Sequence, residues 1–324
     1  MKLVLLVVAC AVLLPENRAW EWSDITILSE WCYDSWIPVN ESKFKQSLRE
    51  NVFGQPLVEE TLKTVFVHLR PGHEPRKALV LAFQGWPGVG KNLVTNLLAK
   101  SVYARGTDSS FFKLYNSRID FPLENKAEEY KKRLQQEVKE RLAKCPRSLF
   151  VFDEIDMMPP KVIDGIKPYF DYQEKVDGVD PRKAVYIFLS NKGGSRIAEI
   201  AYELWEKNVP RDNFKLSDFK EALQSSAFNE KGGLQHSDSI SSFLVSFHVP
   251  FLPLQKEHVA QCIDAELRRR GVVDPDDTIA SAALQEVVFT KRDTFTAGLF
   301  ASGGCKTIDS IVSTAVVAFA HDEL

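Results

Sequence analysis

The chain has 324 residues, of which 44% are hydrophobic and 26% are charged, and its formal net charge is −3. This is the composition of a globular protein that is long enough for one large domain and a smaller one. The slight acidic excess and the lack of a dense basic run in the sequence argue against nucleic acid as a partner.

Residues 1–19 have the pattern of a secretory signal peptide. Lys2 precedes an apolar run from Leu3 to Leu14, and a polar stretch then leads to the small residue Ala19. A membrane-spanning helix needs about 20 apolar residues, and this run is shorter. An uncleaved anchor or a buried helix is the alternative interpretation.

Residues 20–41 are rich in tryptophan. Four of the six tryptophans lie there: Trp20, Trp22, Trp31 and Trp36. Because tryptophan prefers the boundary between water and membrane, a membrane-contacting segment is one interpretation. The other is an N-terminal arm that packs on the following domain and is tied down by Cys32. Asn40 opens the only N-glycosylation sequon of the chain, Asn40-Glu41-Ser42.

Residues 42–252 alternate between apolar runs and helical patterns. The predicted strands are residues 77–84, 111–115, 148–152 and 184–189. One helix is predicted from the turn at Gly85 to about residue 104, and another over residues 124–144. Continuous apolar runs separated by helices are typical of βαβ units. We therefore predict an α/β fold with a doubly wound parallel sheet.

The turn after the first predicted strand has the pattern G-x-x-x-x-G-K of a P-loop. Its residues are Gly85, Trp86, Pro87, Gly88, Val89, Gly90 and Lys91. Glycines let backbone N–H groups surround phosphates, the following helix adds a positive N-terminus, and Lys91 adds a full charge. The pattern predicts a site for ATP with Mg²⁺; a glycine-rich turn with no ligand is the alternative.

Asn92 follows this lysine at the position where a P-loop usually has serine or threonine, whose hydroxyl holds Mg²⁺. An amide oxygen is also a hard ligand, so Asn92 is a candidate metal ligand. We expect nucleotide binding to survive the change, whereas metal geometry and turnover could be affected.

Polar residues also follow two later predicted strands. Asp153 and Glu154 end the strand at 148–152, and Asn191 follows the strand at 184–189. Ligands of such folds bind at the carboxyl ends of the strands. Asp153 is therefore a second candidate ligand of Mg²⁺, and Glu154 can deprotonate an attacking water. Asn191 can position the water or sense the γ phosphate, or it can simply form a turn before two glycines.

A hinge is predicted at residues 251–254, followed by helices at about 255–270, 277–289 and 306–320 with no convincing strand. We interpret residues 253–320 as a small helical domain. The last residues, 321–324, read His-Asp-Glu-Leu, a pattern that predicts retrieval to the endoplasmic reticulum. Outside the signal peptide the cysteines are Cys32, Cys145, Cys262 and Cys305, and four cysteines allow three pairings.

These pieces together resemble the AAA+ ATPases, and in detail the torsins of the endoplasmic reticulum and nuclear envelope lumen. The resemblance rests on Lys91-Asn92, on Gly304-Cys305-Lys306, and on the stretches NVFGQPL at 51–57, FVFDEID at 150–156, IKPYFDY at 166–172 and VDGV at 176–179. It runs from about residue 30 to residue 320. It implies an AAA+ P-loop domain over residues 42–252 with a helical lid at 253–320.

The resemblance also implies roles for single residues. Lys91 would contact the phosphates, Asp153 and Glu154 would be the acids of the site, Asn191 would be the first sensor and Lys306 the second. It further implies disulfides Cys32–Cys145 and Cys262–Cys305. The second of these would couple redox state to nucleotide binding, or it would be an inert staple.

An arginine that AAA+ rings usually supply to a neighbouring subunit has no counterpart late in the large domain. The sequence contains no arginine between Asn213 and Leu267. Such an arginine contributes about 10³ to 10⁵ in rate, so we expect slow ATP hydrolysis by the chain alone. Torsins are described as borrowing it from a membrane-anchored luminal activator. The resemblance therefore implies a homo-oligomer, or a ring alternating with such an activator.

The function that follows is an activator-dependent ATPase that remodels proteins or membranes in the lumen. An ATP-binding oligomeric scaffold with little turnover is the alternative, and a small-molecule kinase is a weaker one. Torsins often carry a longer apolar segment after the signal, which this chain lacks, so membrane contact stays open. The sequence identifies neither the client nor the physiological process.

Overall fold

The computed structural model describes residues 30–229, 245–272, 277–291, 296 and 298–322. The predicted signal peptide, the part of the tryptophan-rich arm before residue 30 and the last two residues of the predicted retrieval signal therefore lie outside the described residues. Residues from Cys32 onward form one compact unit. None of its described helices is long and apolar enough to cross a membrane.

The elements follow one another in the order of an α/β protein. The strands are β1 (Leu79–Gln84), β2 (Phe112–Asn116), β3 (Leu149–Asp153), β4 (Val185–Ser190) and β5 (Phe247–Pro250). The helices of the large domain are α1 (Glu41–Asn51), α2 (Pro56–Leu69), α3 (Lys91–Val102), α4 (Ser117–Asp120), α5 (Ala127–Lys144), α6 (Gly194–Glu206) and α7 (Leu216–Asn229). The helices after the hinge are α8 (Lys256–Arg269), α9 (Asp277–Gln285) and α10 (Ile308–Asp322).

The five strands form one parallel sheet in the order β2-β3-β4-β1-β5. Successive side chains of β1 enter two different cores, with Leu81 and Phe83 on one face and Val80 on the other. Helices cover both faces because both are apolar. The predicted doubly wound α/β fold is confirmed.

Strand β5 was not predicted. It is only four residues long, it contains His248 and ends in Pro250, and Phe247 at its start is 39% exposed. The strand is held at the sheet edge by its pairing with β1. A short mixed run at an edge has none of the apolar continuity of a central strand, so the sequence pattern missed it.

Two of the predicted lid helices have different bounds. Helix α9 ends at Gln285 rather than at 289, because Val287, Val288 and Phe289 leave the helix and Phe289 pairs with Ala301 as an isolated bridge. β-branched residues favour extended backbone at such a point. Helix α10 begins at Ile308 rather than at 306, since the preceding residues form turns against the P-loop.

The part of the arm that the structure describes is packed against the large domain. Cys32 is bonded to Cys145, at the end of α5, and Ala104 donates a hydrogen bond to the carbonyl of Trp36 (2.9 Å). Asn40 caps α1 by accepting from the N–H of Lys43 (2.9 Å). The cap uses Oδ1 of Asn40, which is an exposed residue, whereas a glycan at the predicted sequon would attach to Nδ2.

The core contains a tyrosine whose hydroxyl has no hydrogen-bond partner among the described residues. Tyr186 is fully buried in β4 between Phe150 and Phe170, and burial raises its pKa well above the usual value. We expect Tyr186→Phe to leave the free energy of unfolding unchanged, or to raise it by about 1 kcal/mol, because a desolvated unpaired hydroxyl is removed.

Chemical denaturation tests this, with Tyr169→Phe as the matched control. The ring of Tyr169 is buried as well, but its hydroxyl is part-buried and donates to Asp177 (2.8 Å). The control should therefore lose about 1 kcal/mol. A loss at Tyr186 as large as that at Tyr169 would contradict the prediction.

Candidate nucleotide site

The P-loop connects β1 with α3 and has the backbone that its glycines permit. Gly88 and Gly90 have φ of 77° and 102°, values that residues with a Cβ rarely adopt. The loop lies over the carboxyl end of the sheet, because β1 ends at Gln84 and α3 begins at Lys91. A helix N-terminus and glycine-flanked N–H groups therefore face the same end of the sheet, as a phosphate site requires.

Lys91 is buried against the loop that precedes it. Its ammonium group donates to the carbonyls of Gly85 (2.7 Å) and Trp86 (2.8 Å) and to Oδ1 of Asn191 (2.9 Å). Burial lowers the pKa of Lys91 from 10.5 to about 8, although Asp156 and Asp153 act in the opposite direction. The lysine is thus a desolvated charge that is held in place at the carboxyl end of the strands.

This pKa predicts that nucleotide affinity falls at alkaline pH. Phosphates favour the charged lysine, so the pKa of Lys91 should be higher in the complex than the value of about 8 in the free protein. Between the two values binding takes up one proton, and the dissociation constant should rise about tenfold per pH unit. Titration with nucleotide from pH 7 to 9.5 measures this, with circular dichroism as the control for folding. A flat profile would contradict it.

The acidic end of β3 faces the start of α3. Asn92 donates from Nδ2 to Oδ2 of Asp153 (2.8 Å). A serine or threonine hydroxyl at this position could make the same donation, and the amide still has its oxygen for a metal. The replacement of hydroxyl by amide therefore keeps the link between P-loop and Asp153.

Glu154 has a left-handed backbone, with φ of 52°, which is unusual for a residue with a side chain. Its carboxylate accepts a hydrogen bond from Nε of Arg118, which lies in α4 after β2, at 2.5 Å. Strained backbone of this kind clusters at functional sites. The contact fixes one oxygen of the predicted base.

Asn191 contacts the lysine rather than the acidic pair. Strand β4 lies directly beside β3, as the prediction that placed Asn191 near Asp153 and Glu154 required. The acid that binds the end of β4 is Asp156, which accepts from the hydroxyl of Ser190 and from the N–H of Asn191 (3.2 Å). Asp156 thereby fixes the backbone from which the side chain of Asn191 reaches Lys91.

The helical lid reaches the same place. Cys305 donates its N–H to the carbonyl of Gly88 (2.9 Å), and Trp86 of the P-loop packs edge-on against Phe300 of the lid, with the ring centroids 6.4 Å apart. Cys305 is also bonded to Cys262 of α8, so the structure has both disulfides that the resemblance implied. The side chain of Trp86 thus packs against the lid, and its carbonyl accepts a hydrogen bond from Lys91.

One cleft of about 350 Å³ unites most of the predicted residues. It is lined by Pro87, Gly88, Gly90, Lys91, Asn92, Leu93, Asp153, Glu154, Asn191, Cys305 and Lys306. Gly85, Trp86 and Val89 stand behind this lining and support it through hydrogen bonds and packing. Phosphate-binding, acidic and lid groups are therefore brought together from four separate chain segments.

The residues present fit a magnesium–nucleotide complex. No three His, Cys, Asp or Glu side chains converge as a metal site in the described part of the chain. Mg²⁺ usually keeps several waters and is held by one or two carboxylates together with phosphates. Asp153 and Asn92 would hold such an ion, while Lys91 and Lys306 would hold the phosphates.

The lid and the P-loop meet backbone to backbone, which leaves no room for a side chain. A Cβ on Gly304 would lie 2.4 Å from the carbonyl oxygen of Gly88, and φ of Gly304 is 53°. We expect Gly304→Ala to push the lid off the P-loop and to weaken nucleotide binding by about tenfold or more. A change of this size corresponds to the loss of one or two hydrogen bonds.

The neighbouring glycine supplies the control. A Cβ on Gly303 would meet nothing within 4 Å, so Gly303→Ala should bind nucleotide like the unmodified chain. Fluorescent nucleotide titration distinguishes the two variants. Equal affinities would show that the close approach is irrelevant to binding.

Sequence reasoning missed three residues that organise the site: Arg118, Asp156 and Gln55, whose buried side chain donates to the carbonyl of Val89 (3.1 Å). Asp156 lies within the FVFDEID stretch, and its position two residues after Glu154 was the signal by which a role in the site could have been predicted. Gln55 lies within the NVFGQPL stretch, which gave it no role, and Arg118 lies outside every stretch that the sequence singled out.

The sheet order, the P-loop between β1 and α3, and the lid above it define an AAA+ nucleotide-binding protein. The fold is similar to that of the S. cerevisiae Hsp104–ADP complex, with a TM-score of 0.59 at 14% sequence identity. The match covers 93% of this chain but only 51% of the Hsp104 chain, about half of its length. It supports the fold alone.

Sequence comparison identifies the family. A model of the torsin family matches residues 26–152. The chain is 38% identical over 285 residues to a torsin-like protein of Caenorhabditis elegans, covering 87% of this chain and 79% of the relative. It is 36% identical over 290 residues to a torsin-like protein of Drosophila melanogaster, covering 89% and 85%. The chain belongs to the torsin family of AAA+ ATPases.

Proposed function

We propose that the chain is an ATPase of the endoplasmic reticulum or nuclear envelope lumen that hydrolyses ATP slowly alone and needs an activating partner. The protein uses the energy of ATP hydrolysis to remodel proteins or membranes. The observation that carries the proposal is the single cleft in which Lys91, Asp153, Glu154, Asn191 and Lys306 meet. It contains a phosphate lysine, a metal-ligating acid and a base, which hydrolysis requires.

The residues of the chain have separate tasks in this proposal. Lys91 and the P-loop bind the phosphates, and Asp153 with Asn92 orients Mg²⁺, which supplies charge neutralisation when bound. Glu154 orients the attacking water and accepts its proton at the carboxylate. One carboxylate oxygen accepts from Arg118, and the other has no part in that contact and can accept from the water.

Arg118 and Arg211 are both engaged within the chain, which supports an arginine from outside. Arg118 donates to Glu154. Arg211, the last arginine before the arginine-free stretch, is directed inward and donates to the carbonyls of Gly54 (2.8 Å) and Pro253 (2.9 Å). We propose that a membrane-anchored luminal activator supplies the missing arginine within an alternating ring or a mixed oligomer.

The luminal location rests on the two targeting patterns of the sequence and on cysteine chemistry. All four described cysteines form disulfides, which persist in oxidising compartments. The Cys262–Cys305 disulfide joins α8 to the residue that contacts Gly88. Nucleotide affinity in oxidised and reduced protein separates a redox-sensitive role from an inert staple, for which the two affinities would be equal.

An ATPase assay of the purified chain tests the proposal. Turnover should be slow alone and should rise by about 10³ or more with the luminal domain of an activator. An activator domain whose arginine is changed to alanine is the control and should not stimulate. High turnover of the chain alone would contradict activator dependence. Nucleotide binding without turnover under either condition would favour the scaffold alternative.

A further inference from the structure

Gln55 has an unexplained position in the fold. It stands directly before α2 and is buried, yet its side chain makes no capping bond to that helix. Its Nε2 instead donates to the carbonyls of Val89 (3.1 Å) and Leu252 (2.9 Å), and its Oε1 accepts from the N–H of Leu252 (2.8 Å). One side-chain amide therefore joins the P-loop to the hinge of the lid.

The contact with Val89 controls the direction of an N–H group in the P-loop. A trans peptide is planar, so the carbonyl of Val89 and the N–H of Gly90 point in opposite directions. Both neighbours of Val89 are glycines with positive φ, and glycine allows peptide orientations that other residues resist. By holding the carbonyl of Val89, Gln55 directs the N–H of Gly90 away from the hinge. Gly90 lines the nucleotide cleft.

The hinge is held at its next residue as well. Arg211 donates to the carbonyl of Gly54, the residue before Gln55, and to the carbonyl of Pro253, the residue after Leu252. Helix α8 begins at Lys256, only three residues after Pro253. A change in the angle of α8 must therefore pass through backbone that Gln55 and Arg211 fix.

The lid consequently reaches two successive peptide groups of the P-loop by different routes. On one side Cys305 donates to the carbonyl of Gly88. On the other side the hinge residue Leu252 reaches the carbonyl of Val89 through Gln55. A lid that lifts from Gly88 still keeps the connection at Val89, which makes Gln55 a pivot.

We propose that Gln55 is a positioning residue that orients the Val89–Gly90 peptide for the phosphates of a nucleoside triphosphate and couples that orientation to the hinge of the lid. This proposal rests on the proposed nucleotide site. It also gives a physical task to the stretch NVFGQPL, which the catalytic argument leaves unused.

The test combines nucleotide titration with hydrogen exchange of the peptides 85–91 and 250–255, using Mg·ATP as the probe. In the unmodified chain, nucleotide should slow exchange in both peptides. In Gln55→Leu the affinity should fall about tenfold. At saturating nucleotide, exchange should slow in 85–91 but no longer in 250–255, a pattern that simple destabilisation would not produce.

Gln46→Leu is the matched control, because Gln46 is exposed on α1 and donates to Glu50 of the same helix. It should behave like the unmodified chain. Should Gln55→Leu fail to fold, Gln55→Glu replaces it, since glutamate keeps an acceptor for Leu252 but lacks both donors. Hinge protection that persists in the Gln55 variant, with affinity within about twofold, would overturn the coupling alone. An unmodified chain that binds no nucleotide would overturn the proposed function as well.

Discussion

Glu154→Gln should lower stimulated ATP turnover by about 10²- to 10⁴-fold while ATP binding stays close to that of the unmodified chain. Glutamine has the shape of glutamate and can still accept a hydrogen bond from Arg118, but it cannot take a proton from water. The lysine, the P-loop glycines and the lid contacts do not depend on Glu154. Binding and hydrolysis should therefore separate in this variant.

A phosphate-release assay and a nucleotide titration measure the two effects. Glu128→Gln, at the exposed start of α5, is the matched control and should keep full turnover. Undiminished turnover of Glu154→Gln would show that another group accepts the proton. Loss of binding would instead show that the carboxylate is needed to build the site.

Removing the disulfide between Cys32 and Cys145 should lower the free energy of unfolding by about 2 to 5 kcal/mol. The two cysteines are 113 residues apart, so the bond closes a long loop and strongly restricts the unfolded chain. Paired alanine substitutions avoid placing a hydroxyl at Cys145, which is fully buried. Denaturant unfolding measures the loss.

The second disulfide provides the comparison. Cys262 and Cys305 are 43 residues apart, and the shorter loop should make their entropic contribution smaller by about 1 kcal/mol. The Cys262→Ala/Cys305→Ala variant is therefore expected to be the more stable of the two double variants. Unchanged stability after loss of the Cys32–Cys145 bond would contradict the argument from chain entropy.

The central strands and the phosphate lysine could be predicted because their signals are local. A continuous apolar run is enough to predict β1, β3 and β4. The pattern from Gly85 to Lys91 is enough to predict a phosphate-binding loop with its lysine. Strand β5 could not be predicted, since it is a strand only by virtue of pairing at an edge.

The connections within the site could not be predicted for a related reason. The sequence indicated that Asn191 lies at the right edge of the sheet, but only the packing shows that it contacts Lys91 rather than the acids. Arg118 and Gln55 are 36 and 34 residues away from their partners Glu154 and Val89 along the chain. Long-range hydrogen bonds of single polar residues have no periodic pattern to reveal them.

The backbone contact between Gly88 and Gly304 has a consequence for evolution. A Cβ on either residue would run into the main chain of the other segment, at 1.9 Å from the oxygen of Gly303 or 2.4 Å from that of Gly88. A second mutation can shrink a side chain, but it cannot remove a carbonyl. A second substitution therefore cannot compensate for a side chain at either position. Any relative that keeps the lid on its P-loop in this manner should have glycine at both.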